Sequence, residues 1–202
     1  MLGRWVGQVR WSLVLGSALL ALGATSCAAG SAAPPGATVP TAVIGAPPPN
    51  PYAVPAVITK AYVQRVLNAL EAVNAQATQL IVAHRSLVPA ARTDLSAIDT
   101  APEVAIQTKL WRNDLNAGLP NLLPKPGLIK DTVTGLLAAS SSCVFVSATS
   151  DTSTVERVPS TQPVYFALVS RPQGGSGSNP TPWLISFLGG TANGTAPPNQ
   201  CP

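Results

Sequence analysis

The chain has few of the side chains from which most catalytic and metal sites are built. Its 202 residues include one histidine, three cysteines and eight acidic residues, and only 10% of all residues are charged. A catalytic triad or a zinc site needs several such groups close together, and this inventory offers few ways to assemble one. The sequence therefore predicts no metal site and no cofactor, and a role without catalysis is the first hypothesis.

Positive charge is also sparse. Twelve Lys and Arg against eight Asp and Glu give a net charge of +4, and two of the basic residues, Arg4 and Arg10, lie in the first ten residues. The remaining basic residues are interleaved with acidic and apolar ones. Because a nucleic-acid site needs a concentrated basic surface, nucleic acid is not a predicted partner.

Residues 1–26 have the pattern of a secretory signal peptide. Arg4 and Arg10 form its positive start, an apolar run covers residues 12–22, and small residues follow at positions 24–26. A membrane-spanning helix needs about 20 apolar residues, so this run is too short to span. The pattern predicts an exported protein from which residues 1–26 are removed.

Cys27 directly follows the small residues, and here the sequence resembles the bacterial lipobox. Ala24 stands where lipoboxes more often have Leu. The resemblance implies that Cys27 is lipidated and holds the mature chain at the outer face of the cell membrane, since two or more acyl chains anchor a protein stably. The alternative is cleavage by the ordinary signal peptidase, which would leave Cys27 as a free thiol.

The next segment, residues 27–57, is predicted to be a tether. Residues 28–57 contain no charge, and eight of the 22 residues from 34 to 55 are proline. Such a composition favours an extended polyproline-like spacer rather than a packed unit. The rest of the chain, residues 58–202, is predicted to form a single domain.

Helical periodicity dominates the first half of that domain. Apolar residues at alternating spacings of three and four predict a long helix with Thr59 as its N-cap and Pro89 near its end. A short second helix is predicted over residues 91–98. A third begins at a capping box at residues 100–103, and a further short helix is predicted within residues 128–139.

The periodicity changes to that of strands near residue 143. Three short runs rich in β-branched and aromatic residues are bounded by turn residues, at positions 143–149, 163–170 and 182–188. In the last run, alternation places Trp183, Ile185 and Phe187 on one face. The predicted class is α+β, with N-terminal helices packed on a C-terminal antiparallel sheet of three or more strands.

This organisation resembles the nuclear transport factor two-like, or cystatin-like, roll. The resemblance rests on the long first helix, the strand-rich end and a late strand with an early Trp at residues 182–185, and it covers residues 58–190. It implies that the helices pack in the concavity of a curved antiparallel sheet. The amino-acid composition of the chain, rich in Ala, Pro and Thr, is similar to that of actinobacterial, especially mycobacterial, exported lipoproteins.

With Cys27 assigned to lipid, two cysteines remain. Cys143 and Cys201 are predicted to form a disulfide, which would fasten the C-terminal tail to the first of the predicted strands. Dimerisation through an exposed Cys201 is the alternative.

His84, the single histidine, is predicted to lie buried or half-buried on the apolar face of the long helix. A catalytic alternative places it in a cavity, oriented by Asp94, Asp99 or Glu103, as the base of a metal-free enzyme.

The larger aromatic residues are most simply core. In a roll of the kind named above, a set of them would instead line an apolar pocket for a hydrophobic ligand. The predicted lining is Tyr62, His84, Trp111, Phe166 and Trp183. The leading functional prediction is a membrane-anchored binding or accessory module that contacts an envelope protein. The alternatives are a carrier of a hydrophobic ligand and an enzyme that uses His84.

Overall fold

Three helices precede a four-stranded sheet. The computed structural model describes residues 50–171, 177–191 and 195–201. The helices are α1 (Lys60–His84), α2 (Pro89–Ile98) and α3 (Ala101–Asn116), and the strands are β1 (Lys130–Ala139), β2 (Cys143–Asp151), β3 (Thr161–Ser170) and β4 (Trp183–Gly190). The strands are antiparallel and lie in the order β1-β2-β3-β4. This arrangement confirms the predicted α+β class.

The predicted signal peptide and lipidation site lie outside the described residues, as does the tether up to residue 49. The last part of the predicted tether is described, and one of its side chains, Tyr52, packs against the main core. The hydroxyl of Tyr62 donates a hydrogen bond of 2.9 Å to the Tyr52 carbonyl. The segment just before α1 is therefore attached to the domain by both packing and a hydrogen bond.

The predicted first helix is present, with the predicted cap. The Thr59 hydroxyl accepts a hydrogen bond from the Tyr62 N–H at 3.2 Å and so satisfies one of the free donors of the first turn. α1 ends at His84 because Arg85 adopts a left-handed conformation with φ 48°. Pro89 is not the end of this helix. It is the first residue of α2, where its missing N–H costs no helical bond.

The larger core cluster forms where α1 packs on one face of the sheet, which we call the inner face. Alternate residues of β2 and β3 point to this face, as expected for a half-buried strand. Its members are Tyr62, Val63, Val66, Leu67, Leu70, Val73, Ile98, Val144, Val146, Ala148, Val164, Phe166, Leu168, Trp183 and Ile185. The Trp183 indole N–H donates to the Tyr62 hydroxyl at 2.8 Å, so the polar atoms of this buried pair are satisfied.

A second core cluster joins the C-terminal half of α1 to α2, α3 and the loops that follow. Its members are Ala77, Ile81, Leu87, Ala91, Leu95, Trp111, Leu119, Leu122, Ile129 and Val155. Three residues on one side of α2, Ala91, Leu95 and Ile98, are all buried. α1 contributes to both clusters, and so it connects the helical part of the domain to the sheet.

The prediction of a helix within residues 128–139 is wrong, because this segment forms β1. Irregular register explains the misleading pattern. Val133 pairs with Ala148 and Leu136 with Val146, so Thr134 and Leu137 are extra residues on the β1 side. Val133 and Leu136 both pack against the inner core although they are three residues apart. In a regular strand, residues three apart point to opposite faces. The extra residue of the bulge puts them on the same face, which is the spacing expected of a helix.

A bulge also corrects the predicted faces of β4. Ile185 pairs with Leu168 on the inner face, but the next paired residue is Phe187, opposite Ala167, and Leu188 pairs with Phe166. Leu188 therefore packs against the inner core and Phe187 points to the outer face. Strict alternation from Trp183 predicted the reverse, because it did not allow for Ser186, the unpaired residue of the bulge.

The predicted capping box of the third helix is also wrong, although α3 does begin there. A capping box requires the Glu carboxylate to accept from the N–H of the N-cap residue. The N–H of Thr100 instead donates to the Ile185 carbonyl of β4 at 2.9 Å, and its side chain caps nothing. The Glu103 carboxylate accepts from the Gln107 amide at 2.9 Å. Contact with the sheet has replaced the local cap.

The predicted disulfide between Cys143 and Cys201 is confirmed, with the two Cα atoms 5.7 Å apart. Cys143 opens β2 and is buried, and its position next to inner-face Val144 directs it to the outer face. The bond therefore fastens the C-terminal segment to the side of the sheet opposite α1. A disulfide of this kind is consistent with an exported protein.

We predict that Cys201→Ala lowers the free energy of unfolding by about 4 kcal/mol, since the bond spans 58 residues and limits the unfolded chain. Urea unfolding of the oxidised protein measures the difference. Wild-type protein unfolded with a reducing agent is the control and should resemble the variant. Equal midpoints for the oxidised wild type and the variant would show that the bond adds no stability.

Candidate functional site

A groove lies between one side of α1 and the beginning of β1. Its volume is about 690 Å³, within the range of small-ligand sites. We call it the α1–β1 groove, and it is lined by Gln64, Asn68, Glu71, Leu128, Ile129, Lys130, Asp131, Thr132, Asp151, Ser153 and Thr154. Nine of the eleven residues have polar side chains, but carbon atoms make up most of the surface that they present to the groove.

The α1 wall of the groove is a polar stripe. Gln64, Asn68 and Glu71 are spaced by four and three residues, so they lie one above another on the helix surface. Glu71 is only 2% exposed, and its carboxylate accepts a hydrogen bond of 3.2 Å from the Asn74 amide. The apolar stripe of α1 faces the sheet, and this polar stripe lies at its border.

Gln64 joins this wall to β1. Its amide nitrogen donates to the Asp131 carbonyl at 2.7 Å, and its amide oxygen accepts from the Val133 N–H at 2.7 Å. β1 is at the edge of the sheet, so these backbone groups have no neighbouring strand. The Gln64 amide satisfies the donor and the acceptor that such a strand would have bonded, and it holds the helix in place against the edge.

The opposite wall is the turn that follows β2. The Asp151 carboxylate accepts from the Ser153 N–H at 2.9 Å, a bond that an Asp side chain commonly makes to the backbone two residues on. The backbone N–H and then the side chain of Ser153 lower the pKa of the Asp151 carboxyl, so it remains ionised at neutral pH. The Thr154 hydroxyl donates to the Leu128 carbonyl at 2.7 Å, which ties this turn to the segment before β1.

Gly127 is required where this turn meets the chain. Its N–H donates to the Thr154 carbonyl. A Cβ at this position would lie 2.6 Å from the Cβ of Thr154, closer than such atoms approach. The absence of a side chain therefore permits the close contact that holds the far wall of the groove in place.

The lining carries more negative than positive groups. Glu71, Asp131 and Asp151 are acidic, and Lys130, paired in register with Asp151, is the basic member. Glu71 and Asp131 are buried, so Asp151 is the acidic side chain of the lining that a partner can reach. Amide and carboxylate oxygens accept hydrogen bonds, so the lining suits a partner that offers N–H or O–H donors. Among residues 50–171, 177–191 and 195–201, no group of three or more His, Cys, Asp or Glu could hold a metal ion.

None of the five residues predicted to line an apolar pocket lines the α1–β1 groove. Four of them are core residues with 3% exposure or less: Tyr62, Trp111, Phe166 and Trp183. The prediction that His84 is at least half-buried is wrong. It is exposed at the last position of α1, because the left-handed Arg85 ends the helix there and the buried apolar stripe stops at Ile81.

Two acidic residues that were candidate partners of His84 bond to other side chains. The Asp94 carboxylate accepts from the Ser178 hydroxyl at 2.8 Å. Glu103, as described above, accepts from Gln107. Asp99 pairs through its backbone with Ile185 of β4. The geometry therefore gives no support to a catalytic group built around His84.

The α1–β1 groove was not predicted from the sequence. The spacing of Gln64, Asn68 and Glu71 was a usable signal, because three polar residues in one stripe beside an apolar face mark a boundary of the packed surface. This stripe could not be recognised as one wall of a groove, because the predicted helix over residues 128–139 left no strand opposite it. Only β1 and the turn after β2 supply the second wall.

Comparisons with family models, curated proteins and solved structures give no match to this chain. The resemblance to the nuclear transport factor two-like roll and to actinobacterial exported lipoproteins stays a prediction. In the described part of the chain, no helix has the length and apolar character needed to cross a membrane.

We predict that Gln64→Leu lowers the free energy of unfolding by about 2 kcal/mol, because it leaves a donor and an acceptor of β1 without their bonds to α1. Urea unfolding gives the stability, and hydrogen exchange of the Val133 amide reports on the edge directly.

Asn68→Ala is the matched control for this variant. Asn68 is exposed one turn along the same stripe, and its side-chain oxygen accepts an exposed hydrogen bond of 2.8 Å from the Gln64 amide. Loss of this surface side chain should cost less than about 0.5 kcal/mol. Equal losses in the two variants would mean that the Gln64 amide does not stabilise the edge of the sheet.

Proposed function

We propose that this protein is a lipid-anchored component of the bacterial cell envelope that binds a polar partner through the α1–β1 groove. The observation that carries the proposal is the contrast between the groove, which is open at the surface, and the filled interior beside it. The groove offers hydrogen-bonding groups at the surface, while the interior holds aromatic side chains that are almost completely buried.

Location in the envelope is supported by the N-terminal sequence and by the disulfide. Residues 1–26 have the features of an export signal, and Cys27 follows at the position where lipoboxes carry the modified cysteine. The Cys143–Cys201 bond suits an oxidising compartment. With those two cysteines paired, Cys27 is the one thiol left to carry lipid.

A binding role explains the interior better than a carrier role does. A carrier of a hydrophobic ligand needs an apolar cavity with aromatic side chains at its wall. Tyr62 of α1 instead packs with Phe166 and Trp183 of the sheet in the larger core cluster, and the indole N–H of Trp183 donates to the hydroxyl of Tyr62. These aromatic groups are already used to stabilise the fold.

The chemistry of the groove favours recognition by hydrogen bonding. Accessible acceptors come from the Asp151 carboxylate and the Asn68 side chain, and the walls are fixed by the Gln64 and Thr154 bonds. Fixed polar groups orient a partner at a low entropic cost. We infer a partner rich in N–H or O–H donors, such as an amine-bearing peptide or glycan of the envelope.

The anchor is tested first, with Cys27→Ala. We expect the wild-type protein in the membrane fraction of the producing bacterium and the variant in the soluble or secreted fraction, because the variant cannot be acylated. Immunoblots of the separated fractions measure the distribution. An unchanged distribution would contradict lipid anchoring through Cys27.

The groove is tested by photo-crosslinking in intact cells. A photoreactive amino acid replaces Ser153, an exposed residue of the far wall, and Asn68→Trp on the α1 wall is then added to fill the groove. We expect an envelope adduct from position 153 that disappears when Asn68→Trp is present, because the indole occupies the space of the partner.

The control places the same photoreactive group at Ser141, an exposed residue in the turn between β1 and β2. Any adduct formed there should persist with Asn68→Trp. If position 153 gives no adduct, or if its adduct survives Asn68→Trp, the groove is not the binding site.

A further inference from the structure

The surface where the chain enters the domain combines exposed apolar and basic side chains. Val54 and Val57 precede α1 and are 38% and 73% exposed, and Lys60 and Arg65 are exposed on the first two turns of the helix. We call these four residues the entry surface. It is separate from the α1–β1 groove, whose lining contains none of them.

The charge of this region is entirely positive. The first acidic residue of the chain is Glu71, so residues 27–70 carry Lys60 and Arg65 with no carboxylate between them. The Arg65 side chain folds back along the helix: its guanidinium lies 3.5 Å from the Ala61 carbonyl and 5.8 Å from the centre of the Tyr62 ring. Both cations are therefore at the N-terminal end of α1.

Helix stability does not account for this arrangement. The N-terminal end of a helix carries a partial positive charge, so acidic residues stabilise it and basic ones oppose it. The first turn of α1 holds Lys60 and no acidic residue. The Lys60 ammonium makes one exposed hydrogen bond, to the Thr134 carbonyl of β1 at 3.4 Å. An ammonium group has three N–H donors, so the other two are available to an anionic surface outside the domain.

We propose that the entry surface contacts an anionic lipid bilayer, with Lys60 and Arg65 at the headgroups and Val57 at the border of the acyl region. The inference builds on the lipid anchor of the proposed function. The 22 residues between Cys27 and Asn50 could extend roughly 70 Å, so the anchor alone does not hold the domain at the membrane. It does keep the domain at a high local concentration, where a weak second contact is sufficient.

The test measures vesicle binding without the lipid anchor, so its result does not depend on whether Cys27 is acylated. The mature chain from residue 27, with Cys27→Ala, is sedimented with vesicles of phosphatidylcholine alone or mixed with phosphatidylglycerol. We expect binding to the mixed vesicles only, weakened by added salt. Each basic residue near an anionic surface strengthens binding about fivefold, so Lys60→Gln with Arg65→Gln should weaken it roughly 25-fold.

Two matched controls use other exposed residues. Lys109→Gln with Arg112→Gln removes the same charge from α3, and Val158→Ser removes an apolar side chain that is 77% exposed, for comparison with Val57→Ser at 73%. The entry-surface variants should lose binding and the control variants should keep it. Equal binding to both kinds of vesicle, or equal losses in variants and controls, would overturn the proposal. Release of the cellular protein by Cys27→Ala would still stand as evidence for the anchor.

Discussion

Packing of the apolar stripe of α1 against the inner face of the sheet is the contact on which the other features depend. The helix covers β2, β3 and β4 with its N-terminal half, and its C-terminal half joins α2 and α3 in the second cluster. Burial of that stripe fixes the rotation of the helix about its own axis. The rotation in turn directs Gln64 to the edge of β1 and sets the polar stripe beside it as the wall of the α1–β1 groove.

Local periodicity was a good guide wherever one contact dominated. α1 buries a regular stripe, so its course and its Thr59 cap could be predicted, although its end at the left-handed Arg85 could not. β2 and β3 alternate without interruption. β1 could not be predicted, since its bulges place Val133 and Leu136 on one face at the spacing of a helix. The capping box failed for a related reason: the Thr100 N–H had a partner on β4 that lies far away in sequence.

The candidate site was less predictable than the fold because it exists only between elements. In the sequence, the polar residues of α1 cannot be distinguished from other surface residues, because β1, which lies opposite them, is distant along the chain. The Asp151 turn likewise becomes part of the site only through its position at the end of β2. The cysteine pair, by contrast, followed from counting and compartment alone. A count of residue types can therefore predict a disulfide, but a groove depends on the three-dimensional arrangement of the chain, which such a count does not contain.

Both edges of the sheet are occupied in part by the protein's own groups, and this limits how the proposed partner can bind. At β1 the Gln64 amide bonds the backbone of Asp131 and Val133. At β4 the Thr100 N–H bonds the Ile185 carbonyl, and the Asn179 amide bonds the Trp183 carbonyl at 2.9 Å. A strand added along these stretches would first have to break those hydrogen bonds. The hydrogen bonds that it then formed would only offset this loss, so strand addition would bring little net free energy. Recognition through side chains in a groove requires no such exchange, which is why the geometry favours it over strand addition.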